Sequence, residues 1–196
     1  MSKLQLSPWK TLLRGTAVCV VSVLVLNADV PRGWHLAGTK PAEYESGVDA
    51  EQAHQGHASA FLRSKRPSVD GFGTLMQSIN AEQYQGNKVR LSSLVKSEEV
   101  TRWAGLWMRV DKGTEQLVLD NMQNRPIKGT TGWQRYYVVL DVPEGATRIA
   151  FGILLDGPGE VWLNGTKFEI VGLDVPATGP SEKRLTDKPV NLEFSN

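Results

Sequence analysis

The chain of 196 residues is long enough for one domain of ordinary size with terminal tails. Its 22 basic and 21 acidic residues give a formal net charge of +1, which excludes a general electrostatic attraction to nucleic acid. With 40% hydrophobic and 22% charged residues the composition is that of a folded globular domain, and 19 glycines with 10 prolines favour frequent turns. The single cysteine, Cys19, excludes an internal disulfide.

The N-terminal residues 1–28 differ from the rest of the chain. They contain Lys3, Lys10 and Arg14, no acidic residue, and an uncharged apolar run at residues 15–28. The run is shorter than the roughly 20 residues of a membrane span. A basic start, a short apolar run and the small residue Ala28 predict a secretory signal peptide, so we expect an exported protein, either periplasmic, secreted or membrane-anchored. The alternatives are an uncleaved signal anchor, which would be the chain's one membrane contact, and a buried N-terminal strand.

Beyond residue 30 the sequence mostly alternates apolar and polar residues, the period-two pattern of β-strands. The strand-like runs, in chain order, are HASAFLRS, GTLMQSIN, NKVRLSSLVK, AGLWMRVD, EQLVLDN, WQRYYVVLDV, RIAFGILLD, EVWLNG and TKFEIVGL. Asn164-Gly165, between the last two runs, predicts a two-residue hairpin. Only AEQYQG (81–86) and SEEVTRW (97–103) favour a helical turn.

These short strands predict an all-β protein, a jelly-roll sandwich of two antiparallel sheets. We assign the sandwich to residues 30–175. Residues 176–196 are polar and rich in proline, which predicts a tail or linker.

Several motifs spread over residues 33–172 point to a known fold. They are GWHLAG, HQGHASAFLRS, KVRLSSLVK and TTGWQRYYVVLDVPEGATRIAFGILLDGPGEVWLNGTKFEIV. Together they resemble the galactose-binding-like β-jelly roll and, within it, the bacterial carbohydrate-binding modules. The resemblance implies binding rather than catalysis, and it implies domains that occur alone or beside enzymes and bacterial regulators. Because the motif residues are mainly turn and core residues, the resemblance indicates the fold more than the ligand.

The resemblance also bears on metal binding. In many relatives an acidic residue near the closing hairpin helps to hold a structural calcium, whereas this chain has Asn164-Gly165 there. Glu43, Glu45, Asp49 and Glu169 remain as oxygen donors for such an ion. We nevertheless expect no cofactor and no metal site.

Catalytic motifs are missing from the sequence. It contains no G-x-S-x-G, no H-E-x-x-H, no P-loop and no G-x-G-x-x-G. His54 and His57 form an H-x-x-H pair, but the pair lies in a predicted turn and zinc would need a third ligand. We therefore expect solvated turn histidines and a protein that is not an enzyme.

The stretch from residue 102 to residue 133 carries the candidate binding site. A regular strand would place Trp107 and Arg109 on one face and Leu106, Met108 and Val110 on the other. An aromatic ring covers the flat C–H face of a sugar, while amide, carboxylate and guanidinium groups bind its hydroxyls. The predicted ligand-binding residues are Trp107, Arg109, Asp120, Asn121, Asn124, Arg125 and, from a neighbouring strand, Gln77. The predicted partner is a carbohydrate or another polyhydroxylated ligand.

Structural interpretations of the same residues stay open. Arg109 and Asp120 could form a cross-strand ion pair, Trp107 could cap the sandwich edge, and residues 120–126 could be only a turn. The same face could also be the contact patch of an accessory or sensory domain of a bacterial regulator or enzyme, without affinity for glycans, since Trp and Arg are common at protein interfaces.

Overall fold

The computed structural model describes residues 30–179 and residue 192, and β-strands make up most of this part. The strands are β1 (His35–Gly38), β2 (Tyr44–His54), β3 (His57–Ser64), β4 (Phe72–Asn80), β5 (Lys88–Lys112), β6 (Glu115–Asp120), β7 (Ile127–Asp141), β8 (Arg148–Asp156) and β9 (Glu160–Val171). The predicted signal segment and nearly all of the predicted tail lie outside the described residues. Among the residues described, no helix is long and apolar enough to cross a membrane.

Strand β5 joins the two layers of the sandwich. Its first part, Lys88 to Glu98, pairs with β9, and its last part, Trp103 to Asp111, pairs with β8. Sheet one therefore has the order β1-β4-β8-β5-β6, and sheet two has the order β7-β5-β9-β3-β2, with antiparallel pairing throughout. The predicted all-β sandwich is confirmed.

The main core lies between the two sheets and follows the alternation of the strands. On sheet one Leu75, Ile153 and Leu106 form a cross-strand row with no exposed surface. Val95 and Leu163 occupy paired inward positions on sheet two. Burial of each such side chain stabilises the fold by about 1.5–3 kcal/mol, so these rows fix which face of each strand points inward.

The predicted hairpin at Asn164-Gly165 is wrong, because β9 continues through both residues. Gly165 has a φ of +57°, and the register between β5 and β9 shifts at this point, so the pair forms a bulge. The Asn164 amide donates to the carbonyls of His57 and Ala58, which holds the bulge against β3.

Of the two predicted helical turns, the structure contains one. Glu82–Tyr84 forms a 3-10 turn within the predicted segment 81–86, which confirms that prediction. The turn predicted for residues 97–103 is wrong, because this segment lies inside β5. Glu99, with a φ of +51°, accommodates an irregularity there, and the register with β7 shifts on both sides of it.

Candidate ligand-binding site

Trp107 lies on the outer face of sheet one, as its alternation with the inward Leu106 and Met108 predicts. Its side chain is nonetheless buried, with 9% of the residue exposed. The indole Nε1 donates to Thr74 Oγ1 at 2.7 Å, and the ring belongs to an apolar cluster with Leu154. Little of the ring is therefore open to a ligand.

Neither Arg109 nor Gln77 forms a side-chain hydrogen bond or ion pair with the remaining predicted residues. Arg109 Nε is 2.9 Å from Asp111 Oδ1 and Asp120 pairs with Arg125, so the alternative of an Arg109–Asp120 ion pair does not hold. Gln77 pairs in register with Phe151, which faces the core, so Gln77 and Trp107 point to opposite faces of sheet one.

The other four predicted residues, Asp120, Asn121, Asn124 and Arg125, come together in the turn between β6 and β7. Asn121 Oδ1 accepts from the Gln123 N–H at 3.1 Å, and the Arg125 N–H donates to the Met122 carbonyl at 2.9 Å. The turn is thus held by its own side chains and backbone.

Asp120 is the buried centre of this turn, with 6% of the residue exposed. Its Oδ1 accepts from the Met122 N–H at 2.9 Å and from Arg125 Nη1 at 3.1 Å. Its Oδ2 accepts from Arg125 Nη2 and from Thr178 Oγ1, each at 2.6 Å. Burial alone would raise the pKa of Asp120, but these donors outweigh it and hold the pKa below its ordinary value. The carboxylate therefore stays ionised and fixes Arg125.

Arg125 and Thr178 connect the turn to β7. Arg125 donates to Asn124 Oδ1 at 2.9 Å and to the Tyr137 carbonyl at 3.3 Å. Thr178, which lies in the segment predicted to be a tail, donates its N–H to the Val139 carbonyl at 2.9 Å and accepts the Val139 N–H on its hydroxyl at 2.8 Å. A residue distant in sequence thus completes the hydrogen bonding of Asp120.

Two cavities open beside this centre. One of about 380 Å³ is lined by Met122, Asn124, Arg125, Arg135, Tyr136, Tyr137 and Thr178. The other, of about 450 Å³, lies against Leu119, Asp120, Asn121, Gln123, Asn124, Thr178 and Gly179. Tyr137 is 52% exposed, while Tyr136 is partly buried and its burial raises its pKa. We call Asp120, Asn124, Arg125, Tyr136, Tyr137 and Thr178 the Asp120 site.

Sequence reasoning missed the two tyrosines and Thr178. Adjacent tyrosines in a strand point to opposite faces, so WQRYYVVLD necessarily presents one of them outward, and that signal could have been used. For Thr178 the sequence carries no corresponding signal.

The outer face of sheet two holds a second polar region, a cross-strand row of charged side chains. The row consists of Glu45, Arg63, Glu160 and Glu98, on β2, β3, β9 and β5. Arg63 pairs with Glu45 and lies 3.7 Å from Glu160. Burial raises the pKa of Glu160 to about 7, and the charges of Glu98, Asp49 and Glu45 add to this rise while Arg63 opposes it. Arg63, Glu98 and Glu160 line one side of a groove of about 710 Å³, which we call the Glu160 groove.

A row of aromatic rings lies next to the charged row. Phe61 and Trp162 are paired across β3 and β9, and both are buried. Lys96 Nζ lies 4.7 Å from the centroid of the Trp162 ring, and Arg63 Cζ lies 4.9 Å from that of Phe61. These cations cover the rings, so the face offers charge rather than an open aromatic platform.

The four oxygen donors named for calcium have other partners. Glu43, Glu45 and Glu169 pair with Arg66, Arg63 and Arg90, and Asp49 accepts from Trp162 Nε1 at 3.0 Å. Within the part of the chain that the structure describes, no group of three His, Cys, Asp or Glu side chains could hold a metal ion.

Comparison with known proteins gives one relative by sequence and several by structure. No protein-family model matches the chain. It is 46% identical over 168 residues to the uncharacterized HTH-type transcriptional regulator YbfP of Bacillus subtilis (strain 168), a match that covers 83% of this chain. The match spans only 56% of that regulator's length.

Among solved structures, the CBM22-1 xylan-binding domain of Paenibacillus barcinonensis Xyn10C matches with a TM-score of 0.50 and 18% identity, over 74% of this chain and 90% of that one. The CBM22-1-GH10 modules of Clostridium thermocellum xylanase 10B, complexed with xylohexaose, match with a TM-score of 0.51 and 14% identity, over 71% and 26%. A Stig cyclase from Fischerella matches with a TM-score of 0.50 and 12% identity, over 74% and 87%. At these identities the likeness concerns the fold alone, and the chain has the β-sandwich fold of carbohydrate-binding modules.

Proposed function

We propose that this domain is a ligand-binding module without catalytic activity, which binds a carbohydrate or another polyhydroxylated ligand at the Asp120 site. One observation carries the proposal: an exposed tyrosine lies beside a cavity whose walls include a fixed guanidinium and an amide. The Tyr137 ring offers a surface for the C–H face of a sugar, and the polar groups offer hydrogen bonds to its hydroxyls.

The arrangement favours binding because its polar groups are already held in place. Asp120 binds Arg125 through two nitrogens, so the guanidinium loses little freedom when a ligand arrives. Asn124 is exposed, and within residues 30–179 its amide nitrogen has no hydrogen-bond partner, which leaves it available to a hydroxyl. Trp107, Arg109 and Gln77 have no part in this version of the site.

The fold is consistent with this proposal but does not carry it. The names of two structural neighbours state that they bind xylan or xylohexaose, yet a cyclase has the same fold. Function depends on the site rather than on the fold, so the argument rests on the residues around Asp120.

The second candidate is a sensory domain of a bacterial regulator, and the similarity to an HTH-type regulator favours it. Such a domain would either use carbohydrate binding as its signal or act as a protein-interaction domain without affinity for glycans. Binding of a sugar at the Asp120 site would distinguish the two forms.

The test measures binding of the full chain to a panel of soluble oligosaccharides by titration calorimetry, and to insoluble polysaccharides by pull-down. We expect Tyr137→Ala to weaken binding about tenfold, or about 1.4 kcal/mol, because it removes the aromatic surface on which the sugar would lie. Ile170→Ala is the matched control, since Ile170 is 51% exposed and lies on another strand. Binding that is unchanged in Tyr137→Ala would contradict the proposed site, and a panel without any bound member would favour the protein-interaction form.

Export is a separate proposal that rests on residues 1–28. A regulator acts on DNA inside the cell, so a periplasmic or secreted protein and a cytosolic regulator make opposite predictions for the location of the chain. Fractionation of cells that express the full chain tests this, and recovery of the uncleaved chain in the cytosol would contradict export.

A further inference from the structure

The surroundings of Tyr137 on the outer face of sheet two are cationic. Arg135 precedes it by two residues on β7 and therefore projects from the same face, about 6.8 Å away along the strand. Tyr137 pairs with Ser92 on β5, and Ser92 pairs with Lys167 on β9, which places Lys167 two strand spacings away, about 9.6 Å. The exposed ring thus shares its face with two basic side chains, one along its own strand and one two strands away.

Neither cation is neutralised by the residues that the structure describes. The side chains of Arg135 and Lys167 are exposed, and neither takes part in an ion pair or a side-chain hydrogen bond within residues 30–179. The neighbouring Arg90 on the same face is different, because its Nη2 is 2.8 Å from Glu169 Oε1.

The carboxylate of the site itself, Asp120, cannot balance these charges. Asp120 is buried, and both of its carboxylate oxygens are bound by Arg125 and other donors. It therefore neutralises Arg125, and among residues 30–179 no acidic side chain compensates the charge of Arg135, which lines the same cavity. A neutral sugar could use the Arg135 guanidinium only as a hydrogen-bond donor, whereas a carboxylate would also neutralise its charge through two parallel hydrogen bonds.

We propose that the ligand of the Asp120 site is a carbohydrate that carries a carboxylate, that is, one containing a uronic acid residue. The sugar ring lies on Tyr137, Asn124 binds a hydroxyl, and Arg135 pairs with the carboxylate while Lys167 adds longer-range attraction. This inference rests on the proposed function, since it names the substrate class for the same site.

The experiment compares ligands that differ only in charge. Oligogalacturonate is titrated into the full chain beside its methyl ester, and xylan with glucuronate side groups is compared with unsubstituted xylan. We expect at least one of the acidic ligands to bind tenfold or more tightly than its neutral counterpart, and we expect this ratio to fall as salt is raised. Arg135→Gln should reduce the ratio to about one, whereas Arg90→Gln, on the same face but paired with Glu169, should leave it unchanged.

The outcomes separate this inference from the proposed function. Equal binding of acidic and neutral ligands, both weakened by Tyr137→Ala, would overturn the uronate inference and leave the carbohydrate site standing. A preference for the acid that persists in Arg135→Gln would also overturn it, because the charge would then be recognised elsewhere. If no ligand of either kind binds, both proposals fail together.

Discussion

Asp120 and Glu160 are both shielded carboxyl groups, yet their pKa values shift in opposite directions. The Asp120 side chain is 5% exposed and that of Glu160 is 21% exposed, so burial should affect Asp120 more. Instead the pKa of Asp120 is lowered, while burial and neighbouring carboxylates raise that of Glu160 to about 7. The number of donors makes the difference, since within residues 30–179 Asp120 accepts four hydrogen bonds, whereas Glu160 has one arginine, Arg63, at 3.7 Å.

Asp120 belongs to a preorganised site, whereas Glu160 belongs to a charged surface. The carboxylate of Asp120 is bound by donors inside the protein, and it fixes Arg125 beside the cavity and the tyrosines. The charge of Glu160 is opposed by Glu98 and Glu45 in its own row, and among the described residues Arg63 offsets it. Hydrogen-bond donors offset the cost of burying a charge, and a buried charge without them destabilises the fold.

The largest expected effect concerns stability at neutral pH. Asp120→Asn keeps the size of the side chain but removes the charge that Arg125 and Thr178 require, so we expect the free energy of unfolding to fall by about 3 kcal/mol. Urea denaturation at pH 7.5 measures it. Glu160→Gln, the same chemical change at the other carboxyl group, should leave stability unchanged or raise it. If both variants lose the same free energy of unfolding, the surroundings of Asp120 and Glu160 do not differ in the way described.

The next effect is the pH dependence of stability. The pKa of Asp120 is lower in the folded state than its unfolded value near 3.8, so its carboxylate adds to the free energy of unfolding above pH 3.8. This contribution is lost as pH falls through the folded-state pKa. Glu160 is the reverse case, because its folded-state pKa is raised from 4.5 to about 7. The protonated side chain is compatible with the fold below pH 4.5, and ionisation of Glu160 lowers the free energy of unfolding as pH rises toward 7.

Denaturation midpoints at pH 5, 6 and 7.5 test this prediction. Stability of the natural chain should include a component that declines over this range, and Glu160→Gln should lack that component. Glu169→Gln is the control, because Glu169 is also paired with an arginine across neighbouring strands but lies outside the groove. If stability falls equally steeply with pH in the natural and Glu160→Gln proteins, Glu160 is not the group that causes the decline.

The sandwich could be predicted from the sequence because alternation depends on each strand alone. The run RIAFGILLD matches β8 residue for residue, and HASAFLRS matches β3. The continuity of β5 could not be predicted, because register shifts around Ser97, Val100 and Ala104 interrupt its alternation and resemble a turn. The Asn164-Gly165 signal failed for a related reason: pairing with β5 and β3 determined the backbone there, and local turn preference did not.

The candidate site was predictable only where its residues are adjacent in sequence. The turn that contains Asp120, Asn124 and Arg125 brings them together by local geometry. Alternation assigns Trp107 to a face but does not reveal that Thr74 and Leu154, from other strands, enclose it. Thr178 reaches Asp120 from 58 residues away, a contact that only the fold creates.

The smallest expected effect resolves the charges around Glu160 itself. Carboxyl titration of isotope-labelled protein by NMR gives the pKa of this residue directly. Glu98→Gln should lower the pKa by a few tenths of a unit, because it removes a repulsive neighbour that is exposed and therefore well screened. Arg63→Gln should raise the pKa, since it removes a cation that opposes the shift. A pKa that stays near 7 in both variants would mean that burial alone raises the pKa of Glu160. The neighbouring charges in the Glu160 groove would then have no measurable effect on this residue.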